Sequence, residues 1–319
     1  GVTSFDEWVG SGVKPSKSSK LMDAGCNAVV SLHTRNDKLD MDGDATNGNS
    51  YQNRSTFGQS HKTNGNTRYF YNLDGAYDRC EGGFSGGQIN TADKLLLWSA
   101  FCYAPAGIRS TIVPDGTTGL DGSITITGTI DLAGYSYYPT QPIGEVTVNN
   151  AAITFYYSKI KAEQNGNKLN SDATQHENMH CGLFQTVADG DLTVSNVTLG
   201  GTVGPVINDG KSSTDAIGAG GSSSGALVCR YVCGSSDGSG TKIRKISIDD
   251  LTLNNLIVDG ANSATDANAY MPLLINEMQK YVSLNAKNIK TTGYTSGTKA
   301  ATSLFGKLGV GSEADQVTA

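Results

Sequence analysis

From residue 146 onward, apolar and polar residues alternate with period two in short runs, which predicts half-buried β-strands. Four runs share one form: Val146-Thr-Val-Asn-Asn-Ala-Ala-Ile153, Leu192-Thr-Val-Ser-Asn-Val-Thr-Leu199, Ile246-Ser-Ile-Asp-Asp-Leu-Thr-Leu253 and Val282-Ser-Leu-Asn-Ala-Lys-Asn-Ile289. Aligned from their first residues, Val146, Leu192, Ile246 and Val282 make one column. Val148, Val194, Ile248 and Leu284 make a second, two residues on, so both columns face one side of a sheet. The next column is polar (Asn149, Ser195, Asp249, Asn285), which suits a corner where side chains hydrogen-bond from copy to copy.

A second type of run accompanies the first: Leu183-Phe-Gln-Thr-Val187, Leu227-Val-Cys-Arg-Tyr-Val232, Leu273-Leu-Ile-Asn-Glu277 and Leu304-Phe305. Leu95-Leu-Leu-Trp-Ser-Ala-Phe101 reads as the opening member of that series. The repeat then runs first type, short turn, second type, longer polar loop, first type again. Insertions such as Asn208 to Ser224 are rich in Gly and Ser and carry no core. No sustained helical period separates the strands, which disfavours alternating strand–helix folds. Two strand types kept in one order predict an all-β chain folded as a right-handed parallel β-helix, a solenoid with long loop insertions. A β-sandwich is the runner-up.

Residues 94–319 carry this pattern. Residues 1–93 fit it poorly and read as an N-terminal cap or irregular first coils. Gln316-Val-Thr-Ala319 resembles the start of another first-type strand, so the solenoid is expected to continue beyond the covered chain.

Composition supports strands and turns. Glycine contributes 40 of 319 residues, proline 7, and charged residues only 17%. A net charge of −6 argues against nucleic acid as a partner. No apolar run reaches the roughly 18 residues of a membrane span. The Gly/Ser/Thr/Asn-rich texture suits an exported protein, secreted or displayed on a cell surface. Six cysteines (Cys26, Cys80, Cys102, Cys181, Cys229 and Cys233) are widely spread without a CxxC pair. They read as buried thiols, with disulfides and a metal site as alternatives.

Gly182-Leu-Phe-Gln-Thr-Val, Asn196-Val-Thr-Leu and Ile246-Ser-Ile-Asp-Asp-Leu-Thr-Leu resemble the pectin-lyase-like β-helix superfamily. Within it, the chain is most similar to long adhesin-like surface proteins of Gram-positive bacteria. The Gly134-Tyr-Ser-Tyr-Tyr-Pro139 turn and the Met179-His-Cys-Gly-Leu-Phe184 strand entry add to the likeness, which covers residues 94 to 319 in texture. The resemblance implies the β-helix fold and a surface role.

Candidate chemistry is sparse. His176-Glu-Asn-Met-His180 spells the zinc-peptidase HExxH, but its polar flank and the strand beginning at Cys181 contradict a core helix. A polar loop is the plainer reading. Asp249-Asp250, with Lys242, Arg244 and Lys245 nearby, is the one acidic pair in a core coil, and reads as a corner ladder before a catalytic pair. Asp40, Asp42 and Asp44 match the first alternating ligands of a calcium loop, though Ala45 and Tyr51 break its later positions. Calcium is thus a possible cofactor, and a solvated acidic loop the alternative. Aromatic clusters at Tyr69-Phe-Tyr71, Tyr135-Ser-Tyr-Tyr138 and Phe155-Tyr-Tyr157 could stack on sugars or fill a core. Tyr135, Tyr137 and Tyr138 lie in a Gly- and Pro-bounded turn, which places at least one in solvent. The first functional expectation is an adhesin-like binding or structural module for glycan or host protein. The second is a polysaccharide lyase or glycoside hydrolase.

Overall fold

The computed structural model describes residues 76–77, 79–103, 109–133, 137, 139–156, 158–160, 175–178, 182–204, 225–236, 241–258, 272–279, 281–296 and 303–308. Strands dominate these residues, and most pair in parallel. A seven-stranded sheet runs in the order β1 (Gln88–Ile89), β2 (Ile124–Asp131), β3 (Val146–Tyr156), β7 (Leu192–Val203), β11 (Arg244–Val258) and β13 (Val282–Thr291), with β14 (Tyr294–Ser296) also paired to β11. A four-stranded parallel sheet runs β15 (Phe305–Leu308), β12 (Ile275–Met278), β8 (Val228–Val232) and β6 (Phe184–Val187). Two short antiparallel pairs complete the set: β4 (Ser158–Ile160) with β5 (Gln175–Asn178), and β9 (Ser235–Ser236) with β10 (Thr241–Lys242).

From β3 onward, the main strands fall alternately into the two parallel sheets as the chain advances. The first-type runs build the long sheet and the second-type runs the short one. The connections are the reverse of the expected order. The short turn leads from the second type to the first, as between Val187 and Leu192, and the long loop follows the first type.

Burial alternates along each long strand. Val146, Val148, Ala151, Ile153 and Phe155 point inward on β3, and Leu192, Val194, Val197 and Leu199 do so on β7. In register, Val148 opposes Val194, and Val194 opposes Ile248. The fourth copy departs from the expected alignment by two residues. Leu284 opposes Ile246, Ala286 opposes Ile248, and Val282 opposes Arg244.

The corner lies one residue beyond the expected polar column in the first three copies and three beyond it in the fourth, at Asn288 instead of Asn285. Asn150, Asn196, Asp250 and Asn288 stand at equivalent points of four neighbouring strands with φ of 47°, 51°, 56° and 55°. Asn and Asp enter this left-handed region at the least cost of any residue with a side chain, because they hydrogen-bond locally. The strands β3, β7, β11 and β13 therefore bend at this polar residue and keep their register across it, and β11 turns again at Asn255 (φ 48°), where its register against β7 shifts. On the turn side, glycine is required by proximity: a Cβ on Gly190 would lie 2.2 Å from the carbonyl carbon of Gly144.

Leu95–Phe101 is not a strand. It lies in helix α1 (Ala92–Tyr103), followed by the short α2 (Arg109–Ile112). Thr91 caps α1, its Oγ1 accepting from the Lys94 amide at 3.3 Å, and Asp93 in the first turn pairs with Arg79 at 2.7 Å. Leu95, Leu96, Leu97, Trp98 and Ala100 are all fully buried, so α1 is a core helix apolar on every side. It follows the edge strand β1 of one sheet, and Trp98 meets Phe184 on β6 of the other edge-to-face at 6.4 Å. The helix thus takes the place expected for a first short-sheet strand and covers that end of the core. It also runs across the expected boundary at residue 93.

Candidate binding face

The outward side chains of the long sheet repeat as rows across its strands. Thr125, Thr147, Thr193, Ser247 and Asn285 form one row, in register from β2 to β13. Past the corner, Thr129, Ala152, Thr198, Thr252 and Lys290 form a second. Asp131, Thr154, Gly200 and Asn254 make a third, and Tyr156, Thr202 and Ile257 a fourth. Neighbouring strands lie about 4.8 Å apart, so the first row is a line of small polar groups at that repeat, and the others mix Thr and Asn with Ala152, Gly200, Lys290, Tyr156 and Ile257.

Between the second and first parts of this face runs the corner ladder. Asn196 Nδ2 donates to Asn150 Oδ1 at 2.7 Å, and Asn288 Nδ2 donates to Asp249 Oδ1 at 2.9 Å. Lys287 reaches Asp249 at 3.2 Å and Lys290 reaches Asp250 at 3.6 Å. The Asn288 amide first, and then Lys287, hold the Asp249 carboxyl below its ordinary range. The Asp249-Asp250 pair is thereby tied to the adjacent strand at the corner, as its register implied. Arg244, one of the cations expected to flank it, is buried with its Nε donating to the Ala188 carbonyl. The Lys245 amide donates to Asp191 Oδ1 at 3.0 Å. These residues secure the short turn and do not converge on the acidic pair.

At the far edge of the face, Tyr156 is 37% exposed and Ile257 38%. The Tyr156 hydroxyl hydrogen-bonds to the Asp131 carboxylate on the adjacent strand. Partial burial, and then that hydrogen bond and the charge of Asp131, raise the tyrosine pKa. Asp131 is fixed in turn, its Oδ1 accepting from the Ala133 amide at 2.9 Å.

Of the three tyrosines between Gly134 and Pro139, Tyr137 is among the described residues. Tyr137 is fully buried; its hydroxyl donates to the Leu183 carbonyl at 2.7 Å and shares a hydrogen bond with Thr140 Oγ1 at 2.6 Å. Burial raises its pKa, and the two hydrogen bonds hold this tyrosine against Leu183 and Thr140 beside the short sheet. Tyr135 and Tyr138 lie outside the described residues, as do Asp40, Asp42 and Asp44. His176 lies in β5 with Lys159 of β4 opposite, so residues 175–178 form neither the expected loop nor the helical turn of a zinc peptidase. His180 is outside the described residues. Among the described residues, no group of His, Cys, Asp and Glu is placed to hold a metal ion.

Cys80, Cys102, Cys229 and Cys233 are free thiols, the first three buried. Burial pushes Cys80 up to about 11 and Cys102 up to about 12, which makes both poor nucleophiles. Cys26 and Cys181 lie outside the described residues. A cleft of about 690 Å³ opens between the end of α1 and the loop entering β2, lined by Phe101, Arg109, Ser110, Thr117, Thr118 and Asp121 among others. Arg109 stands over the Phe101 ring at 5.8 Å and occupies its open face.

The Phe155-Tyr-Tyr157 cluster is visible in the sequence, but its partner Asp131 is not. Alternation alone turns Phe155 inward and Tyr156 outward. Its partner could be located only once β2 and β3 were known to be neighbours. In comparisons with known proteins, no family model, no curated protein and no solved structure matches this chain. Among the described residues, no helix is long and apolar enough to cross a membrane.

Proposed function

We propose that the chain is a right-handed parallel β-helix displayed on a cell surface or secreted, where it acts as an adhesin-like binding module for glycan or host protein. The observation that carries this reading is the outward face of the long sheet, where Thr125, Thr147, Thr193, Ser247 and Asn285 form an unbroken polar row and Thr129, Thr198 and Thr252 recur in the next. Such a face offers many weak, evenly spaced hydrogen-bonding groups on a rigid support, which suits adhesion to a repetitive ligand. The alternation of strands between two parallel sheets supports the β-helix, because it is the path of a coil. Right-handedness follows from the strong preference of parallel crossovers for that hand. The acidic pair of the enzyme reading is held in the corner ladder by Asn288, Lys287 and Lys290, which favours the module over a lyase or hydrolase.

The purified chain should be applied to arrays of glycans and of extracellular host proteins, and incubated in parallel with polysaccharides. Saturable binding without product release is the expected result. Unsaturated uronides or new reducing ends, abolished by Asp249→Asn, would replace the module with the enzyme.

A further inference from the structure

Going beyond the binding reading, we infer that the end of the stack at β13 and β15 is a self-association surface, where a second copy of the chain docks end to end about a twofold axis. In the long sheet the last strands among the described residues are β13 and β14, both paired to β11; in the short sheet the last is β15, paired to β12. No described strand pairs with their outer edges, so each presents a row of backbone donors and acceptors. Between these edges the core lies open. Leu284, Ala286, Ile289, Leu304 and Phe305 are only partly buried. Leu308 stands in register with Met278, which is fully buried one strand further in, yet Leu308 is 54% exposed. That difference is the apolar surface a further neighbour would cover.

Charge, size and the form of the opposite end select a second copy as the occupant. Lysines on an edge strand ordinarily keep it from pairing. Here Lys287 reaches back to Asp249 at 3.2 Å and Lys290 to Asp250 at 3.6 Å, both on β11. β13 carries no other charged side chain, so its edge is compensated and two copies of it can approach. The ten residues of β13 span about 30 Å, and two sheets about 10 Å apart, with their own thickness, are about 20 Å across. Each copy then covers roughly 600 Å² and the pair roughly 1,200 Å², the low end of stable interfaces, which suits micromolar affinity. The opposite end offers no counterpart among the described residues. Its long-sheet edge strand β1 has two residues, and α1 closes the core there with Leu95, Leu96, Leu97 and Trp98 fully buried. A head-to-tail array therefore lacks one of its two surfaces, whereas a twofold uses the open end twice and closes at a dimer.

Sedimentation velocity of the full chain, at concentrations from well below to well above the micromolar range, tests this. The parent is run beside Leu308→Lys, whose side chain is already more than half exposed, and Gln88→Lys on the exposed side of β1 at the opposite end. The expected result is a monomer–dimer equilibrium with no larger species, weakened at least tenfold by Leu308→Lys and unchanged by Gln88→Lys. Amide hydrogen exchange of the parent at low and high concentration reads the same contact without any substitution. Protection of β13 and β15, lowest in the dilute chain, should rise several-fold with concentration while α1 and β3 stay constant. A parent that is monomeric at every concentration overturns the inference; if its β13 amides are nonetheless as protected as those of β3, another segment of the same chain covers the end. A dimer whose affinity survives Leu308→Lys, or species that grow beyond the dimer, also overturns it. None of these outcomes bears on glycan or protein binding by the outer face, which the arrays test separately.

Discussion

A strand that turns a corner within a continuous ladder needs one residue at positive φ, and here that residue is Asn150, Asn196, Asp250 or Asn288. Aligning the four copies on this residue, instead of on their first apolar position, recovers the observed register: Val146, Leu192, Ile246 and Leu284 all stand four places before it. The register of the fourth copy is hidden in the sequence because β13 begins with an inward valine, Val282, where β11 has the inward Arg244. A buried arginine in an apolar column hides the homology of the two positions. The corner predicts a specific pattern of stability. Asn196→Val forces a β-branched residue into the left-handed region and should cost at least about 1–2 kcal/mol. Asn196→Gly relieves the backbone and loses only the hydrogen bond to Asn150, so it should cost about 1 kcal/mol or less. Urea titrations of the two variants check the order, which reverses if the side-chain bond dominates. The buried thiols give a pH dependence. Their folded pKa values, about 11 for Cys80 and about 12 for Cys102, stand above the ordinary thiol value of 9.0. Above pH 9 the unfolded chain releases thiol protons that the native chain retains, so native stability falls with rising pH until the folded values are passed. Melting temperatures between pH 8 and pH 11 should decline in the parent and decline less in a Cys102→Ala variant compared with its own pH 8 value.

Helix α1 is the element that the pattern could not disclose. A helix buried on all sides shows no amphipathic period, and Leu95-Leu-Leu-Trp-Ser-Ala-Phe101 taken alone is as apolar as a buried strand. The remaining signal was local: Thr91 followed by Ala92 and Asp93 marks a capped start with an acid in the first turn. The sheets were more legible, because a half-buried strand advertises its period at every second residue. The second-type strands are marked by apolar content alone, and all four occur in the short sheet. The candidate face was legible only in part, since rows across strands exist only after register is known. For α1 the sharp expectation concerns Trp98. Its ring fills the space against Phe184, yet its Nε1 is buried with no hydrogen-bond partner among the described residues. Trp98→Ala should therefore cost about 3–5 kcal/mol through the cavity it leaves. Trp98→Phe keeps an aromatic ring and removes the unpaired donor, and should cost less than half as much. Equal losses in the two variants, measured by chemical denaturation, would show that the indole nitrogen is satisfied in solution.

At the scale of the whole molecule, each parallel strand rests on its neighbours, so damage and protection should both spread along the stack. Replacing Ile248, which is 1% exposed between Val194 and Ala286, by Asp places an unpaired carboxylate in the core and should cost more than about 4 kcal/mol. The two ends of the stack are not equivalent. At the β1 and β6 end, α1 covers the core with fully buried leucines and Trp98. At the other, β13 and β15 are the last strands of their sheets among the described residues, and their inward residues Leu284, Ala286, Ile289, Leu304 and Phe305 are only partly buried. Leu308 is 54% exposed. A backbone amide exchanges when its segment opens, and opening is easiest where a strand has one neighbour and little apolar surface to expose. Amide hydrogen exchange should therefore be graded: β13 and β15 fastest, β11 and β12 slower, β3 and β7 slowest, with α1 protected like the central strands. The gradient follows from packing at the two ends of the described stack. Trp98→Ala should raise exchange first in α1, β1 and β6 while leaving β13 and β15 unchanged, because their opening does not pass through the helix. Uniform exchange along the stack, or acceleration of all strands together in Trp98→Ala, would mean that the sheets open as one cooperative unit and that the end at β13 is as well covered as the end at α1.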